Sequence, residues 1–324
     1  MRRLLRTLGA LVLLAAAALL LATTTQAVAS ARDRAALQQP GRLVEGGGHR
    51  LHLLEQGKRS GAPSLVLLHG AGSSSAQWGW LGAMLAERHH VVAVDRAGLG
   101  FSEPGESAAA EVAVEELRTA LRRAGIAPPW LLVGHSLGGL HARLLEARHP
   151  GEVAGLVLLD APAPAFFERL SPAARESQRS FRARAQWLPA LSRLGILRLL
   201  DPLEAVAAPL PSAAAAALRA FSVDAGHQLA AAAELAEIDA ASASFRALRD
   251  VAPPAAPVLR ISRGAPDDEF TRVQQALDRE ATAAVRGATH RVIPGATHFS
   301  LVTEAHHARA VAEAITGWLA RSLR

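Results

Sequence analysis

Apolar and polar positions along this chain fall into three regimes. The first is a basic head, Met1-Arg2-Arg3-Leu4-Leu5-Arg6, followed by a 15-residue apolar run from Leu8 to Ala22. The second is a succession of short apolar runs separated by amphipathic stretches. Leu43 to Glu45 and His49 to Glu55, joined by Gly46-Gly47-Gly48, predict an antiparallel hairpin. Leu65-Val66-Leu67-Leu68 and Val91-Val92-Ala93-Val94 are continuously apolar, as strands buried on both faces must be. Glu111 to Ala124 has a helical period, and Trp130-Leu131-Leu132-Val133 is the next strand. A helical pattern through Leu140, Leu144 and Leu145 then ends at Pro150-Gly151, and Leu156 to Asp160 closes the series. In the third regime, from Ala161 to Pro254, strand signals stop and Ala, Leu and Arg dominate, with breaks at Pro189, Pro202 and Pro209. Two later strands, Pro257 to Ser262 and His290 to Ile293, precede a final helix from about Thr303 to Leu319. Strands alternating with helices predict an α/β fold with a doubly wound, mostly parallel, eight-stranded sheet.

These regimes divide the chain. Residues 1–29 carry the basic, apolar and small-residue regions of a secretory signal, with a cut expected after Ala29. The run is short of the roughly 20 residues a spanning helix wants, and an uncleaved signal anchor is the alternative. Either way the basic head stays in the cytoplasm and the rest lies outside, secreted or periplasmic, or attached to the outer side of the membrane through residues 1–29. Arg2-Arg3 hints at twin-arginine export, which the surrounding residues fit poorly. Residues 30–40 read as a mobile linker. Residues 41–160 and 255–324 form the sheet domain, and 161–254 form a helical cap inserted over the sheet's C-terminal edge, where open α/β sheets bind ligands. The cap reads as a lid over substrate; a subdomain with only a packing role is the plainer alternative.

Composition narrows the chemistry. The 324 residues hold no cysteine, which removes disulfides, thiolate metal sites, a Cys nucleophile and a lipoprotein anchor. The net charge is +6, carried almost wholly by arginine, and Arg2, Arg3 and Arg6 account for half of the excess. The rest is too weakly basic to argue for a nucleic-acid partner. Abundant Ala and Arg beside a single lysine, Lys58, reads as the coding bias of a GC-rich bacterial genome.

The chemistry centres on Gly134-His135-Ser136-Leu137-Gly138, which lies between a predicted strand and a predicted helix. A G-x-S-x-G in that setting is a nucleophile elbow: the serine sits on a strained turn, and side chains at the two glycines would collide with neighbouring backbone. The helix N-terminus behind it favours developing negative charge. The plainer alternative is a turn whose serine only caps the helix.

With His69-Gly70, Asp95-Arg96-Ala97-Gly98-Leu99-Gly100-Phe101-Ser102 and Pro294-Gly295-Ala296-Thr297-His298-Phe299, the elbow makes a set, and the chain resembles the α/β-hydrolase fold family, specifically its serine-dependent esterase-like branch with a helical cap. The resemblance runs from about Gly41 to Leu319 and is specific for fold more than for substrate. A serine hydroxyl needs a base, and of thirteen histidines the resemblance points to His298, in the loop after the last strand. His290 shares its Gly-Ala-Thr-His spelling but opens that strand and reads as a surface residue. His69 and His135 read as scaffolding, and His306-His307 lacks the glutamate spacing of a zinc helix. Two carboxylates compete to orient the base. Asp267 follows the seventh strand, where most of the fold keeps its acid, and Asp160 ends the sixth, where a minority does. Asp267 could instead help cap a helix, and Asp160 could bind backbone amides. The motif favours Asp267 and the rigid strand end favours Asp160, with Asp267 placed slightly ahead. The oxyanion donors implied are the backbone amides of Ala71 and Leu137.

The resemblance implies cleavage of a carboxylic ester of a small, hydrophobic substrate through an acyl-enzyme, with no metal or organic cofactor. A serine at 136 argues against the haloalkane dehalogenase and epoxide hydrolase branches, which need a carboxylate there. An aminopeptidase would need acids near the cap, for which Glu168, Glu176, Glu204, Asp224 and Glu234 are available. A cofactor-free perhydrolase or haloperoxidase, or a catalytically silent ligand-binding protein of the same fold, uses the same motifs. The cap arginines (Arg169, Arg175, Arg179, Arg182, Arg184, Arg193, Arg198) read as a solvated face, or else as a surface for anionic lipid. Phe166, Phe167, Phe181, Trp187, Leu188, Leu191 and Leu194 would wall a hydrophobic pocket or pack the cap's own core. Acyl-chain length and oligomeric state are not encoded in any motif.

Overall fold

A computed structural model describes residues 2–238, 248 and 253–322. Eight strands form one sheet: β1 Arg42–Glu45, β2 Arg50–Gln56, β3 Leu65–Leu68, β4 Val91–Val94, β5 Trp130–His135, β6 Val153–Leu159, β7 Val258–Arg263 and β8 Thr289–Ile293. Their order is β1-β2-β4-β3-β5-β6-β7-β8. Pairing is antiparallel at β1–β2 and β2–β4 and parallel elsewhere, as the alternating pattern predicts.

The helices follow in chain order. They are α1 Arg2–Ala36, α2 Gly79–Ala86, α3 Ala110–Arg123 and α4 Leu137–Arg148, then the cap helices α5 Phe166–Arg169, α6 Pro172–Ala185, α7 Leu188–Arg193, α8 Ile196–Leu200, α9 Glu204–Ala207, α10 Ser212–Ser222 and α11 Ala225–Glu237. After the cap come α12 Glu269–Ala283, α13 Ser300–Thr303 and α14 Ala305–Ser322. The expected final helix, from about Thr303 to Leu319, is α14, and the short α13 directly precedes it.

The period of two explains the layers. In β3, Val66 and Leu68 face α3 and α4, where they meet Val114, Leu117 and Leu144. Leu65 and Leu67 face the other way, toward α2 and α14, with Trp318 and Ile315. Each such side chain, fully withdrawn from water, contributes roughly 1.5–3 kcal/mol. A strand covered on both faces has no polar side to alternate with, hence its continuous apolar run.

The cap leaves the sheet after β6 and returns before β7, and its α11 meets the loops that follow the C-terminal ends of β3 and β4, through Glu234 at Gly72 and His227 at Gly100. Residues 239–247 and 249–252 of the expected cap lie outside the described residues. Trp80 Nε1 donates to Pro209 O at 2.8 Å, tying the cap to the segment after β3. Phe166 and Phe167 are buried, whereas Phe181 and Trp187 are exposed (50% and 68%) and do not wall an interior pocket. The cap arginines do not form one free face either: Arg169, Arg179 and Arg198 pair with Glu280, Glu176 and Asp33.

The expectation of a mobile linker over residues 30–40 is corrected. Helix α1 continues without a break to Ala36, because after Gly9 no Gly or Pro occurs before Pro40 and the Ala-rich stretch has high helix propensity. Its last turns also rest on the cap: Arg34 grips Asp224 through two hydrogen bonds of 3.0 Å.

Candidate active site

Strand β5 delivers the chain to Ser136 and α4 begins one residue later. Ser136 has φ 53° and ψ −123°, a strained conformation for a residue with a Cβ, and such strain costs on the order of 1–3 kcal/mol. The turn is held by the Ser136 N–H, which donates to Leu159 O at 3.0 Å. A Cβ on Gly134 would stand 2.4 Å from Gly138 O, and one on Gly138 would stand 2.1 Å from Leu68 O. Both glycines are therefore fixed by close backbone approach. The serine occupies the N-cap position of α4, yet its side chain makes no capping hydrogen bond. The helix-cap alternative thus lacks its hydrogen bond.

His298 lies between β8 and α13 and meets Asp160, the first residue past β6. Nδ1 of His298 is 2.6 Å from Asp160 Oδ2. Asp160 itself has φ 44° and donates its N–H to Ile261 O at 2.7 Å, so the sheet fixes where the carboxylate points. Arg263 adds a backbone N–H to Oδ1 at 3.3 Å and a guanidinium contact to Oδ2 at 3.1 Å. Burial alone would raise the Asp160 pKa. The hydrogen bond from His298, with the charges of His298 and Arg263, outweighs it and holds the group below its ordinary value.

Asp267, placed slightly ahead from the motif, is not brought to His298. Its side chain is 88% exposed and pairs with Arg272 at 2.8 Å. Its neighbour Asp268 caps α12 by accepting from Thr271 N at 2.8 Å. The segment after β7 is spent on starting that helix, which leaves the end of β6 to supply the carboxylate.

His135 is buried and donates from Nε2 to His298 O at 2.9 Å, its ring 4.6 Å from the His298 ring. Burial, and next the charge of His298, lower its pKa to about 3, so it is a neutral prop for the His298 loop. His69 is likewise neutral, lowered to about 4 by burial and Arg96. His290 is bonded to Ser262 at 2.7 Å. Among the described residues, Glu304, His306 and His307 form the one cluster with metal-ligand spacing; it lies on and beside the start of α14.

The loop His69-Gly70-Ala71-Gly72 follows β3. The Gly70 N–H donates to Gln77 Oε1 at 3.2 Å and the Gly72 N–H to Glu234 Oε2 at 2.9 Å. Between them, the Ala71 N–H has no partner among the described residues, nor does that of Leu137, the first residue of α4. Two backbone donors are thus left over, one on the residue after Ser136 and one in the loop whose Gly70 comes close enough that an added Cβ would stand 3.4 Å from Ser136 Cβ.

Three cap and core side chains that sequence reasoning did not connect hold this loop. Arg96 donates to His69 O at 2.7 Å and Gly70 O at 3.0 Å, and pairs with Glu234 at 2.5 Å. His227 donates from Nε2 to Gly72 O at 3.0 Å, while its Nδ1 accepts from the Gly100 N–H at 3.1 Å. Burial would raise the Glu234 pKa, but the Arg96 charge and hydrogen bonds bring it to about 2. Glu234 was a candidate to bind a substrate amine; it is instead buried and engaged. His227, Ala231 and Glu234 recur at one helical face of α11, the signal in the sequence that marks a docking face.

Comparison with known proteins agrees with the fold. The family model described as "Alpha/beta hydrolase family" matches residues 65–314. The pimeloyl-[acyl-carrier protein] methyl ester esterase of Aeromonas hydrophila is 39% identical over 108 residues, 33% of this chain and 41% of that protein. The chain likewise spans 41% of the length of each of two uncharacterized Bacillus subtilis relatives. A thermophilic esterase from Thermogutta terrifontis superposes with TM-score 0.63 at 20% identity, covering 88% of this chain and 99% of that one. An enol-lactonase from Burkholderia xenovorans gives 0.60 at 23%, covering 85% and 98%. At these identities the structural likeness is one of fold.

Proposed function

Because this chain belongs to the alpha/beta hydrolase family, we propose that it is a serine hydrolase cleaving carboxylic esters of small, apolar substrates. The observation that carries this is the 2.6 Å bond from His298 Nδ1 to Asp160, together with a strained and uncapped Ser136 whose neighbour His135 has its ring 4.6 Å from that of His298. Asp160 fixes the tautomer, so that Nε2 of His298 is the basic nitrogen. That nitrogen takes the Ser136 proton as Oγ attacks the ester carbonyl, and the N–H groups of Ala71 and Leu137 receive the oxyanion. Collapse expels the alcohol, protonated by His298, and leaves an acyl-serine. Water, activated by the same histidine, then releases the acid and restores Ser136. Losing one oxyanion donor typically costs about 2.7–4 kcal/mol of transition-state stabilisation.

The relatives named above include an esterase of a methyl ester and a lactonase. The engagement of Glu234 by Arg96 removes one acid from the aminopeptidase alternative.

The test compares the detergent-solubilised full chain with its Ser136→Ala variant, using a fluorophosphonate label and aryl esters of increasing acyl length. Labelling and turnover that disappear with Ser136 are expected. A folded wild type that neither labels nor hydrolyses any ester would overturn the reading.

A further inference from the structure

We infer that α1 is retained as a membrane anchor whose last turns form a wall of the cap, so that the cap is seated directly on a lipid bilayer. Helix α1 has two halves of different character. An 18-residue window has a mean hydropathy of 2.3 with none of it buried; Leu4, Leu13 and Leu21 are each at least 70% exposed. At about 1.5 Å per residue such a window spans roughly 27 Å, close to the ~30 Å hydrocarbon core of a bilayer.

The second half has a packing face. Ala22, Thr23, Gln26, Ala29, Ser30, Asp33, Arg34 and Leu37 are the positions withdrawn from solvent, spaced as one side of a helix. Gln26 is 5% exposed. Its Nε2 donates to Val223 O at 2.7 Å, and its Oε1 accepts from Arg198 Nε at 3.0 Å. Arg198 then reaches Asp33 at 2.6 Å. Arg34 pairs with Asp224, the N-cap of α11, lies over the Phe221 ring at 5.5 Å and donates to Gly100 O at 3.3 Å.

This face runs through the expected cleavage point. A cut after Ala29 would discard Gln26, taking from the buried Val223 carbonyl one of its two donors (Ser192 Oγ, at 2.7 Å, is the other) and from the Arg198 Nε its acceptor. It would also have to open a packed helix, whereas proteolysis favours mobile, exposed chain. A leader made to be removed has no use for a buried glutamine matched to the domain behind it.

The bilayer is the partner that fits the neighbouring surface. Outside α1, eight large apolar side chains are exposed among the described residues, and five belong to the cap: Phe181, Trp187, Leu199, Leu200 and Leu229. Trp187 precedes α7 and Leu199 and Leu200 end α8, and both helices adjoin the docked half of α1: α7 packs on it and α8 supplies Arg198. Tryptophan beside an emerging helix is a common interfacial anchor. Arg2, Arg3 and Arg6 hold the far end in the cytoplasm, and no linker separates the spanning half from the cap.

The full chain, produced in a bacterium that exports it, decides this. Carbonate-washed membranes should retain it at the mass of the uncut chain, and protease added outside spheroplasts should digest the catalytic domain. A soluble chain beginning at Ser30 overturns the inference, as does an uncut chain that external protease cannot reach. In vesicles of phosphatidylcholine and phosphatidylglycerol with brominated acyl chains, the reconstituted chain should show tryptophan quenching that Trp187→Phe largely abolishes. Quenching unchanged in that variant overturns the seating of the cap.

Discussion

Glu234 of the cap accepts the amide hydrogen of Gly72 at 2.9 Å while pairing with Arg96, whose guanidinium holds the carbonyls of His69 and Gly70. The loop carrying Ala71 is therefore gripped by both the cap and the core. Replacing Glu234 with Gln keeps an acceptor for Gly72 but leaves Arg96 buried without its counter-charge. Breaking such a pair costs on the order of 3 kcal/mol. Glu234→Gln is expected to lower the unfolding midpoint and to reduce kcat about tenfold with little change in KM, since in the proposed mechanism the loop contributes to the oxyanion. Denaturant titration and steady-state kinetics on an aryl ester check both. An unaltered kcat in the folded variant would remove Glu234 from any positioning role.

The same carboxylate sets an acid limit on stability. Its folded pKa, about 2, lies below the ordinary 4.5. The unfolded chain therefore takes up the proton first as pH falls, and the stabilisation, complete above about 4.5, drains away toward pH 2. The linkage amounts to roughly 3 kcal/mol. Asp160 and Asp224 are also lowered and act in the same direction. Urea midpoints measured from pH 6 down to pH 3 should fall steeply for the wild type and less steeply for Glu234→Gln.

The two rival carboxylates separate cleanly by substitution. Asp160→Asn replaces the carboxylate at His298 Nδ1 with an amide that can donate there and select the wrong tautomer, and under the proposed mechanism kcat should fall by about 10⁴. Asp267→Asn alters an exposed group paired only with Arg272 and should leave kcat within about twofold. Equal losses in both variants would contradict the geometry at His298.

That pair of residues also marks how far the sequence could be read. Strands β3 and β4 were legible to the residue, because burial on both faces forbids polar positions. The elbow was legible because Gly134 and Gly138 are dictated by backbone collisions that admit no other residue. The choice between Asp160 and Asp267 was not, since both follow strands at suitable intervals. What brings Asp160 rather than Asp267 to His298 is the direction of a side chain, fixed by the positive φ of Asp160 and its bond to Ile261. The Arg96–Glu234 pair joins residues 138 positions apart, and no local pattern links them. The docked half of α1 escaped notice for another reason: its face mixes Ala, Gln, Ser and Arg, and so has no hydrophobic period to detect.

Gly72 offers the sharpest test of the grip on the oxyanion loop. It has φ +61°, and an added Cβ would stand 2.8 Å from the Cβ of Ala231. Gly72→Ala thus brings both backbone strain, on the order of 1–3 kcal/mol, and a clash with α11. The loop should shift away from the cap, loosening the bonds to Glu234 and His227 and lowering kcat. Adding Ala231→Gly removes the clash but not the strain. The double variant should therefore recover part of the lost kcat while gaining little stability, because glycine inside α11 costs about 1 kcal/mol of its own. Recovery of activity without recovery of stability would tie catalysis to the fit between Gly72 and the cap. A double variant no more active than Gly72→Ala would show that the turn's backbone conformation alone governs the donor at Ala71.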